Sequence, residues 1–179
     1  AINDLNVCQR DFVLGIATSG STPYVVGALS RARELGARTG FLLCTSPSED
    51  LLSEHDVVIA PLVGPEVITG STRMKAGTTT KLVLNMITTT LMIQLNKTYG
   101  NLMVDLKASN DKLWDRGTRI IEHITNLNYD DALKLLQSAE GEVKTAIVME
   151  KLDVGMRVAQ ELLKEKSGSL REVLGDGSG

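Results

Sequence analysis

The sequence predicts an α/β fold, a parallel sheet with flanking helices followed by an all-helical C-terminal region. Three observations lead there. Three short runs, Asp11–Ala17, Thr39–Cys44 and Asp56–Pro61, are apolar or β-branched enough for buried strands. The first two are separated by a helical pattern, and strand, helix and strand at this spacing form a βαβ unit with parallel strands and a right-handed crossover. After Pro61 the strand signals stop and helical patterns take over.

Asp11–Ala17 (DFVLGIA) is broken by the turn residues Thr18-Ser19-Gly20-Ser21. Thr22-Pro23 then opens a helix, because Thr suits the N-cap and Pro the first helical position. That helix runs to about Leu35 and stops at Gly36. After the third strand, Val63–Gly77 is a polar, glycine-containing loop. Thr78–Leu95 reads as a helix, apolar nearly all round and therefore buried, with Thr78 as its cap or else as a donor to a ligand. Asn101–Ile124 reads as a longer amphipathic helix. Three short helices follow, Asp130–Ala139, Glu142–Lys151 and Val154–Lys166, closed by Ser167-Gly168. Short connections favour antiparallel neighbours, so these form a small helical subdomain. The tail 175–179 reads as disordered.

Composition narrows the function. The 179 residues are 42% apolar and 23% charged, enough to bury a core. Aromatics are only 3%, so the core is aliphatic and base stacking on aromatics is disfavoured. A net charge of −3 argues against a nucleic-acid backbone binder. Cys8 and Cys44 lack metal-type spacing and suit a reduced, cytoplasmic protein better than a disulfide scaffold. His55 and His123 are isolated, so no metal site is expected. No apolar stretch is long enough to span a bilayer.

The segment expected to carry chemistry is Thr18-Ser19-Gly20-Ser21-Thr22. In parallel sheets ligands sit at the carboxyl ends of strands, where this loop lies. A phosphate monoester carries about −1.5 to −2 charges at neutral pH. A helix N-terminus offers unpaired amides and partial positive charge to such a group, and four hydroxyls surround one glycine here. The plainer alternative is that these hydroxyls only cap the helix and make the turn.

Three longer stretches carry a resemblance. GIATSGSTPYVVGAL (Gly15 to Leu29), VGPEVITGSTRMKAGTTTKLVLNMI (Val63 to Ile87) and GNLMVDLKASNDKL (Gly100 to Leu113) resemble the N-acetylmuramic acid 6-phosphate etherase family. That family lies in the sugar-isomerase (SIS) superfamily, to which the glucokinase regulatory protein is related. The resemblance covers essentially the whole chain. It implies SIS-type, flavodoxin-like layering, with a phosphosugar-binding domain at 1–127 and a ubiquitin-associated-like helical subdomain at 128–174. It implies a cytoplasmic, homodimeric lyase that removes D-lactate from N-acetylmuramate 6-phosphate in cell-wall recycling. Elimination followed by addition of water would use carboxylates as acid and base, with no metal or nucleotide cofactor. The implied partner is a phosphorylated amino sugar, not nucleic acid or a membrane.

By position, Ser19, Ser21 and Thr22 match the phosphate loop of SIS domains, with Thr18 and Gly20 as further candidate phosphosugar-binding residues, although many etherases have Arg where this chain has Ser21. Family members also carry an earlier strand, a glycine-rich loop and a glutamate-bearing helix that have no counterpart after Ala1. The expectation is therefore an etherase portion lacking its main acid and base carboxylates, and inactive alone. Glu66, in the Gly64-Pro65-Glu66 turn, is the candidate catalytic residue that remains, or else a turn carboxylate bonding local amides. Arg73 and Lys75 are candidate anion or interface contacts, or a solvated pair. A non-catalytic sugar-phosphate sensor and an SIS-type isomerase stay open as alternative functions.

Overall fold

The computed structural model describes residues 2–175; positions 176–179 of the expected tail lie outside the described residues. The chain divides into two compact units, Ala1–Ile87 and Thr88–Gly179.

In the first unit β1 (Phe12–Ile16), β2 (Arg38–Leu42) and β3 (Val57–Ile59) form a parallel sheet in the order β1-β2-β3. All three expected strands are present, the first and third shortened at both ends and the second running from one residue earlier, Arg38, and ending at Leu42. The crossover from β1 to β2 is α1 (Pro23–Glu34), and α2 (Glu49–Glu54) precedes β3. Pairing places Gly15 beside Phe41 and Ile16 beside Leu42. Side chains alternate across the sheet, so Val13, Ala17, Phe41, Leu43 and Val58 pack on one side with Leu29 and Val25 of α1. Phe41, Leu43 and Leu29 are each only 1% exposed. Full burial of such side chains contributes about 1.5–3 kcal/mol apiece. Gly15 lets α1 come close, since a Cβ there would lie 2.5 Å from the Leu29 Cδ1. Phe12, Ile16 and Val57 remain exposed.

The helix expected at 78–95 spans Lys75–Gln94 (α3). Thr78 therefore lies inside its first turn and does not cap it. Nor is α3 buried all round. Ala76 and Val83 are its buried residues, whereas Leu82, Met86, Leu91, Met92 and Ile93 are exposed.

In the second unit the long helix expected from Asn101 is replaced by three pieces. Thr98–Tyr99 (β4) and Leu102–Met103 (β5) form an antiparallel hairpin, which the expectation of helices alone did not contain. An extended segment follows, with Val104, Leu106 and Ala108 buried in alternation. It is tied at Lys107 to Glu142 by a β-bridge, and the Ala108 amide donates to the Gly141 carbonyl at 2.9 Å. Helix α4 begins only at Asp111 and ends at Thr125. Its N-cap is Asn110, whose side chain accepts the Leu113 amide at 3.0 Å. The remaining helices, α5 (Tyr129–Ser138), α6 (Val143–Leu152) and α7 (Met156–Glu165), lie where expected. A short α8 (Leu170–Leu174) was not foreseen. Ile121, Leu136, Val143, Ile147 and Ala159 meet in their common core. Lys144, nearly buried, donates to the Gly168 carbonyl and pairs with Asp105 at 2.9 Å. No described helix is long and apolar enough to cross a membrane.

Candidate functional site

The loop Thr18–Thr22 connects the carboxyl end of β1 to the N-terminus of α1. Gly20 makes its turn with φ +72°, a left-handed conformation, and donates its amide to the Ala17 carbonyl at 3.0 Å. A Cβ at Gly20 would stand 2.9 Å from Leu43 Cδ1, so the loop lies directly on the end of β2. Ser19 Oγ and Ser21 Oγ are 3.0 Å apart, and the Ser21 amide donates to Ser19 Oγ at 3.3 Å. Ser19, Ser21 and Thr22 are exposed, while Thr18 is half-buried.

Thr22 occupies the N-cap position of α1, as the sequence suggests, but its hydroxyl makes no capping bond. Its carbonyl accepts the Val25 and Val26 amides instead. Among the described residues the amides of Ser19, Thr22 and Tyr24 donate to no protein acceptor. Three open amides, three exposed hydroxyls and the positive end of a twelve-residue helix thus lie within one short segment, Ser19–Tyr24. Their chemistry suits an anion with several acceptor oxygens.

The segment before α3 is organised by Glu66. One carboxylate oxygen accepts the Lys75 amide at 2.9 Å and the other the Ala76 amide at 3.0 Å. Glu66 therefore closes the N-terminus of α3 from nine residues upstream. Those amides, Ala76 first and then Lys75, hold its carboxyl below the ordinary glutamate value. Lys75 Nζ donates to the Pro65 carbonyl at 3.0 Å, which fixes the other side of the same turn. Arg73 is exposed and makes no ion pair among the described residues.

Both segments meet the end of β2. The Cys44 amide donates to the Thr18 carbonyl at 3.0 Å. Its buried thiol lies 3.8 Å from the Ala76 carbonyl and from Thr80 Oγ1. Thr45 Oγ1 donates to the Ser19 carbonyl at 3.3 Å and, more weakly, to the Thr18 carbonyl at 3.5 Å. Leu43, Cys44 and Thr45 were absent from the expected site. Their signal is positional, since the carboxyl end of the strand beside β1 belongs to the same crevice. Among the described residues no three His, Cys, Asp or Glu side chains are gathered to hold a metal ion.

A parallel α/β sheet with its anion-ready loop at a strand's carboxyl end, followed by a helical region, defines an SIS-type protein. Comparison with known proteins narrows the class. The chain is 48% identical to the N-acetylmuramic acid 6-phosphate etherase of Pectobacterium atrosepticum over 170 residues, 95% of this chain and 56% of that protein. The etherase of Rhodopirellula baltica gives the same identity and coverage. That of Bacillus pumilus is 47% identical over 171 residues, again 95% and 56%. Residues 100–166 also match the profile of the C-terminal lid domain of glucokinase regulatory protein. The chain is similar to N-acetylmuramic acid 6-phosphate etherases along nearly all of its own length, and it spans a little over half the length of the curated relatives it matches.

Proposed function

We propose that this chain is the phosphosugar-binding part of a lyase that cleaves the D-lactyl ether of N-acetylmuramate 6-phosphate, leaving N-acetylglucosamine 6-phosphate and D-lactate. The observation that carries it is the loop Thr18–Thr22, with its open amides and hydroxyls at the N-terminus of α1, in a chain this similar to etherases. The sugar's 6-phosphate accepts from the amides of Ser19, Thr22 and Tyr24 and from the hydroxyls of Ser19, Ser21 and Thr22. Gly20 supplies the turn and Thr18 anchors the loop to β2. Arg73 and Lys75 add positive charge on the segment that Glu66 holds.

Elimination needs a base at carbon and an acid at the departing ether oxygen, each worth about 10²–10⁴-fold. Glu66 is the carboxylate of this region. Its amide bonds keep it ionised, which suits a base and not an acid. One such group does not supply both roles, so the chain alone binds the sugar phosphate without turning it over. Two free thiols, Cys8 and Cys44, support a reducing, cytoplasmic setting. Exposed Phe12, Ile16 and Met86 support a homodimer.

The test pairs binding with turnover. Ser19→Ala is expected to weaken N-acetylglucosamine 6-phosphate binding by about 10- to 150-fold, the range of one hydrogen bond to a charged group. Release of D-lactate from N-acetylmuramate 6-phosphate by the 179-residue chain is expected to stay at background. Unchanged affinity in Ser19→Ala would sink the binding assignment. Turnover at an enzymatic rate would show that this chain holds both proton-transfer groups. The lid-domain match of residues 100–166 favours a second reading, a sugar-phosphate-responsive regulator that binds without catalysing. A regulator would bind the sugar phosphate and release no lactate even when the rest of an etherase is supplied.

A further inference from the structure

A loop that binds an anion through amides has a built-in difficulty, because every amide is accompanied by a carbonyl whose oxygen repels the same ligand. In Thr18–Thr22 the carbonyls at risk are those of Thr18 and Ser19, which flank the open Ser19 amide. Both are engaged from the neighbouring strand end. The Cys44 amide donates to the Thr18 carbonyl at 3.0 Å. Thr45 Oγ1 donates to the Ser19 carbonyl at 3.3 Å and lies 3.5 Å from that of Thr18. Leu43 completes the contact, with its Cδ1 where a Gly20 side chain would begin. Engaging the Thr18 oxygen turns the carbonyl side of the Thr18–Ser19 peptide plane toward β2 and leaves its opposite side, the Ser19 amide, for the ligand, while the Gly20 amide of the next plane is already given to the Ala17 carbonyl.

We propose, on the reading of Thr18–Thr22 as a phosphate loop, that Thr45 is a positioning residue of that loop. Its hydroxyl clamps the Thr18 and Ser19 carbonyls so that an incoming phosphate meets the Ser19 amide and not those two oxygens. Thr45 does not touch the ligand. It acts through the orientation of the Ser19 peptide, and it is the side-chain half of a clamp whose main-chain half is Cys44. The hydroxyl is the group that makes both contacts, and the residue as a whole is exposed.

The experiment measures binding of N-acetylglucosamine 6-phosphate and of inorganic phosphate to the 179-residue chain by calorimetry, with thermal unfolding alongside. Thr45→Val, which keeps the shape and removes the donor, is expected to weaken both ligands about 3- to 10-fold, the range of one neutral hydrogen bond. Its unfolding temperature is expected to stay close to that of the parent. Thr45→Ser is expected to restore binding. Thr45→Val with parental affinity, while Ser19→Ala binds more weakly, overturns the clamp and leaves the phosphate loop standing. Parental affinity in both variants overturns the loop assignment and the clamp with it. Weakened binding in both Thr45→Val and Thr45→Ser overturns the hydroxyl's role and assigns the effect to the methyl.

Discussion

Both carboxylate oxygens of Glu66 accept main-chain amides at the start of α3, and this decides what the side chain contributes to stability. Its folded pKa is lowered below the ordinary 4.5, by the Ala76 amide and then the Lys75 amide. A carboxyl with a lowered folded pKa stabilises the fold fully above its unfolded value, and that stability is lost as pH falls through the folded value. Glu66→Ala is therefore expected to lower the unfolding temperature at neutral pH, and the gap from the parent to narrow as pH drops below about 4.5. Glu66→Gln, with one acceptor oxygen left, should fall between them. Thermal scans at neutral and acid pH check this, and an unchanged midpoint in Glu66→Ala at neutral pH would remove the cap. Sequence rules for caps look one to three residues away, which is why Thr78 was misplaced as the cap of this helix. The group that closes α3 arrives from nine residues earlier, through a turn that only the folded chain brings into place. At Thr22 the local rule located the helix start correctly, but no bond from its hydroxyl accompanies it.

Helix α4 shows how packing overrides local pattern at the scale of elements. Apolar residues from Leu102 onward fit a helical period, yet the chain stays extended until Asn110. The alternation of Val104, Leu106 and Ala108 matches a strand-like period equally well. What settles it is the segment's bonding to the α5–α6 connection, where Leu106 and Ala108 exchange bonds with Val143 and Gly141. Those partners are more than thirty residues away and invisible to any local window. Further along α4, Gly117 is where the helix meets α5 and α6. A Cβ there would lie 2.9 Å from Val143 Cγ2 and 3.0 Å from Leu136 Cδ2, and both of those residues are fully buried. Gly117→Ala gains about 1 kcal/mol of helix propensity and forces an overpacked core at about 1–3 kcal/mol. The expected net is destabilisation of about 1 kcal/mol. Urea unfolding reads it directly, and a stabilised variant would show that the three helices can part without loss.

For the molecule as a whole, exposed apolar side chains point to association. Phe12 and Ile16 of β1, and Leu82 and Met86 of α3, are between 43% and 62% exposed. Sheets built from parallel strands are ordinarily covered on both faces, and unpaired edges invite pairing. Sedimentation equilibrium is expected to show a dimer or larger species. Met86→Glu is expected to shift the population toward monomer, and to keep the parent's unfolding temperature only at concentrations where the parent is itself monomeric, because Met86 is exposed and packs into neither core. A parent chain that stays monomeric at high concentration would count against association through these surfaces. The sequence by itself determined the three parallel strands, the loop at the carboxyl end of β1, the helices α5 to α7 and the likeness to etherases, because these depend on side-chain period, turn chemistry and residue identity within short windows. The tertiary structure alone decided the β4–β5 hairpin, the late start of α4, the exposure of α3, the capping role of Glu66 and the meeting of Cys44 and Thr45 with the loop Thr18–Thr22. Each of those depends on which distant group satisfies a main-chain donor or covers an apolar face, and that is settled only when the chain has closed on itself.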